Sequence, residues 1–276
     1  DAPTAALSLG EPSQIMRVIE RLRDNGMTII YISHKLSEIF EIGDTVSVLR
    51  DGEMVGTQSL EGMTQPDLVR LMLGKVVAEH YIPSTGPRTE TVMEVRDAST
   101  HKLKNISFDL KKGEILGFFG LLGAGKTEVA EILFGHAHSG DIRKDNQIVS
   151  MKSERDALRA GFALVPEERR EEGIFGLLSV MKNIPLMNLK TVMRNGLVSG
   201  KAERDLADKY IDALQIAASN RNHPVALLSG GNQQKVVIAK CLNRNSDIIL
   251  MDEPTRGVDI GAKQEIHNII RDLASE

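Results

Sequence analysis

Gly120-Leu121-Leu122-Gly123-Ala124-Gly125-Lys126-Thr127 is the stretch that decides the fold of this 276-residue chain. It fits the pattern of a glycine loop whose backbone N–H groups cradle phosphates. The flanks agree. Glu114-Ile115-Leu116-Gly117-Phe118-Phe119 predicts a short buried strand before it. After it, Val129/Leu133 and Ala130/Phe134 repeat at i, i+4 and predict a helix ending at Gly135. In that context Lys126 reaches the β- and γ-phosphates, and the Thr127 hydroxyl ligates Mg²⁺.

Working outward, Ile248-Ile249-Leu250-Met251-Asp252-Glu253-Pro254-Thr255 runs four apolar residues into two acids. That predicts a central parallel strand whose carboxyl end opens on a ligand crevice. Asp252 is placed to hold Mg²⁺ through its water shell, and Glu253 to orient or deprotonate an attacking water. A third stretch is Leu227-Leu228-Ser229-Gly230-Gly231-Asn232-Gln233-Gln234-Lys235. Serine and two glycines suit a helix start whose bare N–H groups and positive dipole end approach a γ-phosphate. Val237/Cys241 and Ile238/Leu242 put one apolar stripe on the helix that follows. Taken singly, these stretches could be a glycine-rich turn and a buried strand with solvated acids at its end. Their order and spacing argue for one site.

The three motifs resemble an ATP-binding cassette (ABC) ATPase. In detail they are similar to sugar-import subunits that fuse two cassettes, of the ribose/galactose/xylose type. Val165-Pro166-Glu167-Glu168-Arg169-Arg170-Glu171-Glu172-Gly173, Asn232-Gln233-Gln234-Lys235 and Thr255-Arg256-Gly257-Val258-Asp259 resemble elements of the second cassette. The resemblance covers essentially the whole chain. It implies an α/β P-loop NTPase with a mostly parallel sheet core, an antiparallel β segment and a helical subdomain. It implies ATP and Mg²⁺, with Gly120 to Thr127, Glu167, Ser229, Gly230 and Gly231 at the nucleotide, Thr127 and Asp252 at the metal, and Glu253 as base. The Ser229-Gly230-Gly231 signature would complete the first cassette's site. His34, after Ile29-Ile30-Tyr31-Ile32-Ser33, resembles the switch histidine that contacts the γ-phosphate. The implied role is an ATP-hydrolysing subunit that powers monosaccharide import from the cytoplasmic face of the plasma membrane. Its partners would be integral membrane permease subunits, a second cassette (fused or dimeric) and, indirectly, a periplasmic sugar-binding protein.

An internal repeat sets the domain organisation. Asp1-Ala2-Pro3-Thr4 matches Asp252-Glu253-Pro254-Thr255, and the same offset of 251 pairs Gly10 with Gly261, Ile15 with Ile266, Ile19 with Ile270 and Leu22 with Leu273. Both copies continue into an amphipathic helix. With no start methionine, the chain reads as a fragment from the acidic strand end of one cassette, the counterpart of Asp252-Glu253, into the next. Residues 1–75 are the C-terminal part of the first cassette, 76–91 a linker, and 92–276 a second cassette lacking its C-terminal end, with a helical subdomain near 177–240. Within the first part, 13–24 predicts a helix capped by Gly26, Met27-Thr28-Ile29-Ile30-Tyr31-Ile32 a buried strand, and 45–56 a hairpin turning at Asp51-Gly52.

Departures from the family pattern qualify the first site more than the second. Ala2 stands where a catalytic glutamate would be, and Ser8 where Asp259 stands in the second copy. Glu167 takes the place of the usual glutamine, an acid this family's second cassette tolerates. No aromatic lies between Asp97 and His101 to stack on adenine.

Composition narrows the classes. The chain is 41% apolar and 26% charged, enough to bury an α/β core, and its net charge of −4 gives no reason for nucleic-acid binding. The charge run 167–172 reads as a solvated loop. A lone cysteine, Cys241, excludes an internal disulfide and reads as packing. Met181, Met187 and Met193 read as core. No apolar run approaches a membrane span. Two other readings are a nucleotide-binding module without hydrolysis and a soluble ABC ATPase acting on ribosomes or DNA. The short Pro/Gly linker and the acidic balance argue against the latter.

Overall fold

Helix Glu11–Asp24 opens the described part of the chain and ends where Gly26 turns into left-handed backbone (φ 85°). The Gly26 N–H bonds the Arg23 carbonyl at 2.8 Å and the Met27 N–H the Leu22 carbonyl at 3.1 Å, the paired bonds of a Schellman stop. A computed structural model describes residues 11–33, 35–50, 52–73, 89–121, 123–136 and 139–275. The chain divides into two compact units, Asp1–Thr85 and Gly86–Glu276. His34, Leu122, Asp51 and the Asp1-Ala2-Pro3-Thr4 and Ser8 positions lie outside the described residues.

In the first unit, Thr45–Arg50 and Glu53–Ser59 form the expected antiparallel hairpin, with Val48 opposite Gly56. Helices Leu36–Ile42 and Gln65–Leu73 flank it, and Met16, Ile42, Val48, Leu60 and Leu68 are buried. Glu38 is buried too, and accepts from the Tyr31 and Ser33 hydroxyls at 2.8 Å each, with Lys35 at 3.2 Å. The strand expected over 27–32 is not formed: among the described residues this stretch joins no ladder, and Ile30 is 90% exposed. Among the described residues the one ladder of this unit is antiparallel, so an apolar run patterned for a parallel sheet finds no neighbour there. On the first helix, Val18 and Leu22 are exposed.

The second unit combines a four-stranded antiparallel sheet, a two-stranded parallel one and a helical part that carries a small hairpin. Strands Thr91–Ser99, Ile106–Lys111, Ser139–Lys144 and Gln147–Ile148 make an antiparallel sheet. Helix Lys126–Leu133 buries Val129, Ile132 and Leu133 in one cluster with Met93, Val95 and Ile142. Strands Phe162–Val165 and Ile248–Met251 pair in parallel, Ile248 opposite Phe162 and Met251 opposite Val165. The strand expected at 114–119 is absent: the stretch joins no ladder among the described residues, and Phe119 is fully exposed. Phe118 rests edge-on against Phe108 at 5.0 Å, which holds the segment by packing rather than by backbone pairing. An apolar run reports that a segment avoids water, but only a ladder partner makes it a strand.

From 177 onward the unit is mostly helical, as the sequence predicts. Helices Val180–Asn183, Gly200–Ala213 and Gly230–Asn243 surround a core that includes Ile184, Tyr210, Leu214, Val225 and Val236, with Met181 and Met187 packed against it. The interruption near Gly196 is a small hairpin, Met193–Arg194 with Leu197–Val198. Asn195 (φ 51°) and Gly196 (φ 81°) are both left-handed, the requirement of a two-residue type I′ turn. Helix Gly230–Asn243 is not merely striped. Every residue from Gln233 to Cys241 is buried, so the single apolar face read from the sequence understates its place at the centre of the unit. No described helix is long and apolar enough to cross a membrane.

Candidate nucleotide site

The phosphate-loop helix begins at Lys126, and Gly125 caps it in left-handed backbone (φ 96°) that a β-carbon would strain. There is no room for one either, since it would meet Leu103 Cδ2 at 2.6 Å. Leu103 sits on a turn tied to the same helix by the Lys102–Glu128 ion pair. That pair holds the Glu128 carboxyl below its ordinary range and the Lys102 ammonium above its own. The Ala124 N–H closes back on the Leu121 carbonyl at 3.0 Å, and Thr127 is exposed at the first turn.

Opposite this loop lies the end of strand Ile248–Met251. The Asp252 N–H continues the parallel ladder to the Val165 carbonyl at 3.0 Å, so Asp252 stands one step past the strand. Glu253 follows with φ 39°, a left-handed conformation that costs a non-glycine residue energy and clusters at functional sites. Its carboxylate reaches the Lys126 ammonium at 3.2 Å across 127 residues of chain. Loop and acid, separate in the sequence, meet in one place.

Glu167 ends the neighbouring strand's exit and pairs with Arg256, whose guanidinium also holds Glu168 at 2.8 Å. The run 167–172 is therefore not a solvated loop throughout. Residues Arg169–Gly173 wind as a π-helical turn, and Arg169 points inward. Its two terminal nitrogens donate to the carbonyls of Arg256 and Gly257, while its Nε is buried without a partner. Burial lowers the pKa of this guanidinium.

The signature occupies the start of helix Gly230–Asn243. Ser229 is the N-cap, its hydroxyl accepting from the Asn232 backbone and, at 2.9 Å, from the Asn232 side chain. Both glycines also have reasons within their own unit. A β-carbon on Gly230 would stand 2.7 Å from Arg169 Nη2 and 2.8 Å from the Gly257 oxygen; one on Gly231 would stand 2.3 Å from Ala262 Cβ. Gln233, which the sequence places beside the glycines, turns away and donates to the carbonyls of Val225, Ala226 and Leu228. Cys241 is buried, in keeping with a packing role.

Arg169, Arg256 and Lys240 were given no role by the sequence. Arg256 lies inside a quoted motif, and two acids side by side at 167 and 168 were a signal that a cation must face them. Arg169 carries no such signal, because a mixed charge run looks solvated from the sequence alone, and Lys240 stands outside any charge run. For a metal, the described residues offer no cluster of three or more acids, His or Cys. Mg²⁺ carried with a triphosphate asks for less, one or two protein oxygens with waters and phosphate oxygens supplying the rest.

The comparisons with known proteins bear on family and fold. A family model described as ABC transporter matches residues 103–256. A ribose import ATP-binding protein of Agrobacterium fabrum is 42% identical over 279 residues, covering 100% of this chain and 55% of that protein. A galactose/methyl galactoside import ATP-binding protein of Clostridium perfringens is 42% identical over 282 residues, with 100% and 55% covered. The chain thus spans about half the length of the curated relatives it matches. Among solved structures, cbiO1 of Clostridium perfringens, part of an ABC transporter complex, superposes with a TM-score of 0.57 at 22% identity, over 68% of this chain and 75% of that one. An ATP-binding cassette solved as a post-hydrolysis dimer with ADP and Pi gives 0.56 at 24%, over 66% and 82%. At such identities these two speak for the fold alone. With phosphate loop, acidic strand end and signature on one ABC-type α/β framework, and with relatives matched along its whole length, this chain belongs to the ABC transporter family of ATP-binding proteins.

Proposed function

We propose that the chain is the ATP-binding and ATP-hydrolysing part of an ABC importer for a monosaccharide, with 92–276 forming the second of two cassettes. The observation that supports this best is the 3.2 Å contact between Lys126 and Glu253, which sets a phosphate-seeking cation beside a candidate base at a helix N-terminus. One lysine cannot serve a carboxylate and a triphosphate fully at once. Arrival of the γ-phosphate draws the ammonium toward itself and releases Glu253 to accept a proton from an in-line water. Lys126 and the backbone N–H groups of 120–127 then neutralise charge that builds on the transferred oxygens. Thr127 and Asp252 are the residues that would hold Mg²⁺, whose part is to screen the β- and γ-oxygens. Glu167 approaches the same site with its carboxylate already countered by Arg256. Ser229, Gly230 and Gly231 would meet nucleotide held by a facing cassette, and His34 would contact the γ-phosphate in its own.

Membrane permease subunits are the proposed partners, at the cytoplasmic face of the membrane, with a periplasmic sugar-binding protein acting through them. Phe175, Leu177 and Leu227 support this, since all three are large, apolar and exposed on the helical part. The two relatives' names carry the ribose and galactose assignments, and the proposal here extends only to a monosaccharide.

Substituting Glu253→Gln in the intact protein tests the reading. It keeps the size of the side chain but removes the base, so turnover should fall by roughly 10²–10⁴-fold while ATP stays bound. Unchanged turnover would remove Glu253 from the mechanism.

A further inference from the structure

One short segment occupies a face of helix Gly230–Asn243 from end to end. Gly230 lies beneath the Arg169 guanidinium, and Gln233 accepts from Arg170 Nε at 3.3 Å. Val237 abuts Gly173, where a β-carbon would stand 2.9 Å from Val237 Cγ2. Lys240 Nζ donates to the Gly173 carbonyl and lies 5.8 Å from the centre of the Phe175 ring. Positions 230, 233, 237 and 240 advance by three and four, which is a single stripe of an α-helix. The segment they face is the π-helical turn Arg169–Gly173, a winding often found at functional positions.

Lys240 is the member that packing does not explain. It is 6% exposed and forms no ion pair among the described residues. Withdrawing an ammonium from water without a counter-charge is costly, and burial accordingly lowers its pKa. A methionine would fill the same space without that cost. What the ammonium adds is the bond to Gly173, which fastens the far end of the turn to the helix while Arg170, through Gln233, fastens the near end.

We propose that Lys240 is a positioning residue that makes the turn and the helix move as one body, so that displacement at Phe175 is delivered to Gly230. The inference rests on the proposed reading of 229–231 as nucleotide-facing. It goes further by naming the side chain that links the exposed apolar edge to that motif.

Lys240→Met in the intact protein tests it. Amide hydrogen exchange in the nucleotide-free protein should quicken both at 174–178 and at 230–232, by about tenfold, the worth of one ordinary buried hydrogen bond. The melting temperature should hold or rise, because an unpaired buried charge is gone. Turnover should drop by a similar factor with KM for MgATP unchanged, since Lys240 contacts no nucleotide in this scheme. If Lys240→Met does not fold, Gly173→Ala takes its place, because its methyl group prises the same turn from Val237. Faster exchange confined to 174–178, or full turnover in whichever variant folds, would overturn the proposal. A wild-type protein that binds MgATP and never hydrolyses it would instead overturn the functional reading and leave the exchange measurement to decide this one.

Discussion

Burial pushes the Cys241 thiol up from near 9.0 to about 12, and its Sγ lies 3.5 Å from the Leu164 carbonyl. In the unfolded chain a thiol gives up its proton near its ordinary value, while the native one keeps it until about 12. Between those limits the native state binds the extra proton, so this residue's contribution to stability declines as pH rises, by at most about 1.4 kcal/mol per pH unit. Chemical denaturation of wild type and Cys241→Ala from pH 8 upward should show the gap between them narrowing above about pH 9; parallel curves would mean the thiol ionises in the native state. At this scale the sequence was most legible where chemistry demands a residue type. Lys126 and Glu253 could be singled out because phosphate calls for a cation and water for a base, and the two side chains do meet, at 3.2 Å. Arg169 and Lys240 could not, because what they bind is a backbone carbonyl, which every residue has.

Helices Gly230–Asn243 and Ile260–Ser275 approach so closely at Gly231 and Ala262 that a methyl group on the glycine has nowhere to go. Asp259 pins the second helix from its own end, its carboxylate accepting from the Ala262 N–H at 2.8 Å, and Lys235 ties the two together through Glu265 at 2.7 Å. Gly231→Ala should therefore destabilise the second unit by about 1–3 kcal/mol, the usual cost of overpacking. A denaturant midpoint equal to wild type would show that the helices can part. The prediction bears on how signature substitutions are read, since activity lost at 231 mixes lost packing with lost phosphate contact. Elements were legible in proportion to how local their causes are. The Gly26 stop, the 45–59 hairpin and the helix after Lys126 follow from neighbours in sequence. The strands expected at 27–32 and 114–119 depend on a ladder partner distant in the chain, and an apolar run is silent about that.

For the molecule as a whole, the proposed scheme has a kinetic signature. If the 229–231 motif serves a nucleotide held on another cassette, hydrolysis needs two cassettes face to face. For the 276-residue chain on its own, which carries a single phosphate loop, ATPase activity per milligram should then climb with protein concentration until association saturates, and level off. A constant specific activity over that range would point to a site complete within one copy. The repeat offset of 251 is the sequence feature that suggests two cassettes, because it aligns Asp1-Ala2-Pro3-Thr4 with Asp252-Glu253-Pro254-Thr255. How the site's charges settle was not visible. The sharing of Arg256 between Glu167 and Glu168 and the hold of Glu253 on Lys126 are products of tertiary packing.

The reverse turn at Asn195 and Gly196 has a practical side. Its edge strand presents Leu197 outward, and the chain's lone cysteine is sealed inside the helical core. The protein is thus nearly blank to thiol-directed dyes, and a cysteine grafted at 197 would be the single handle on which a fluorescent reporter could watch the helical part shift.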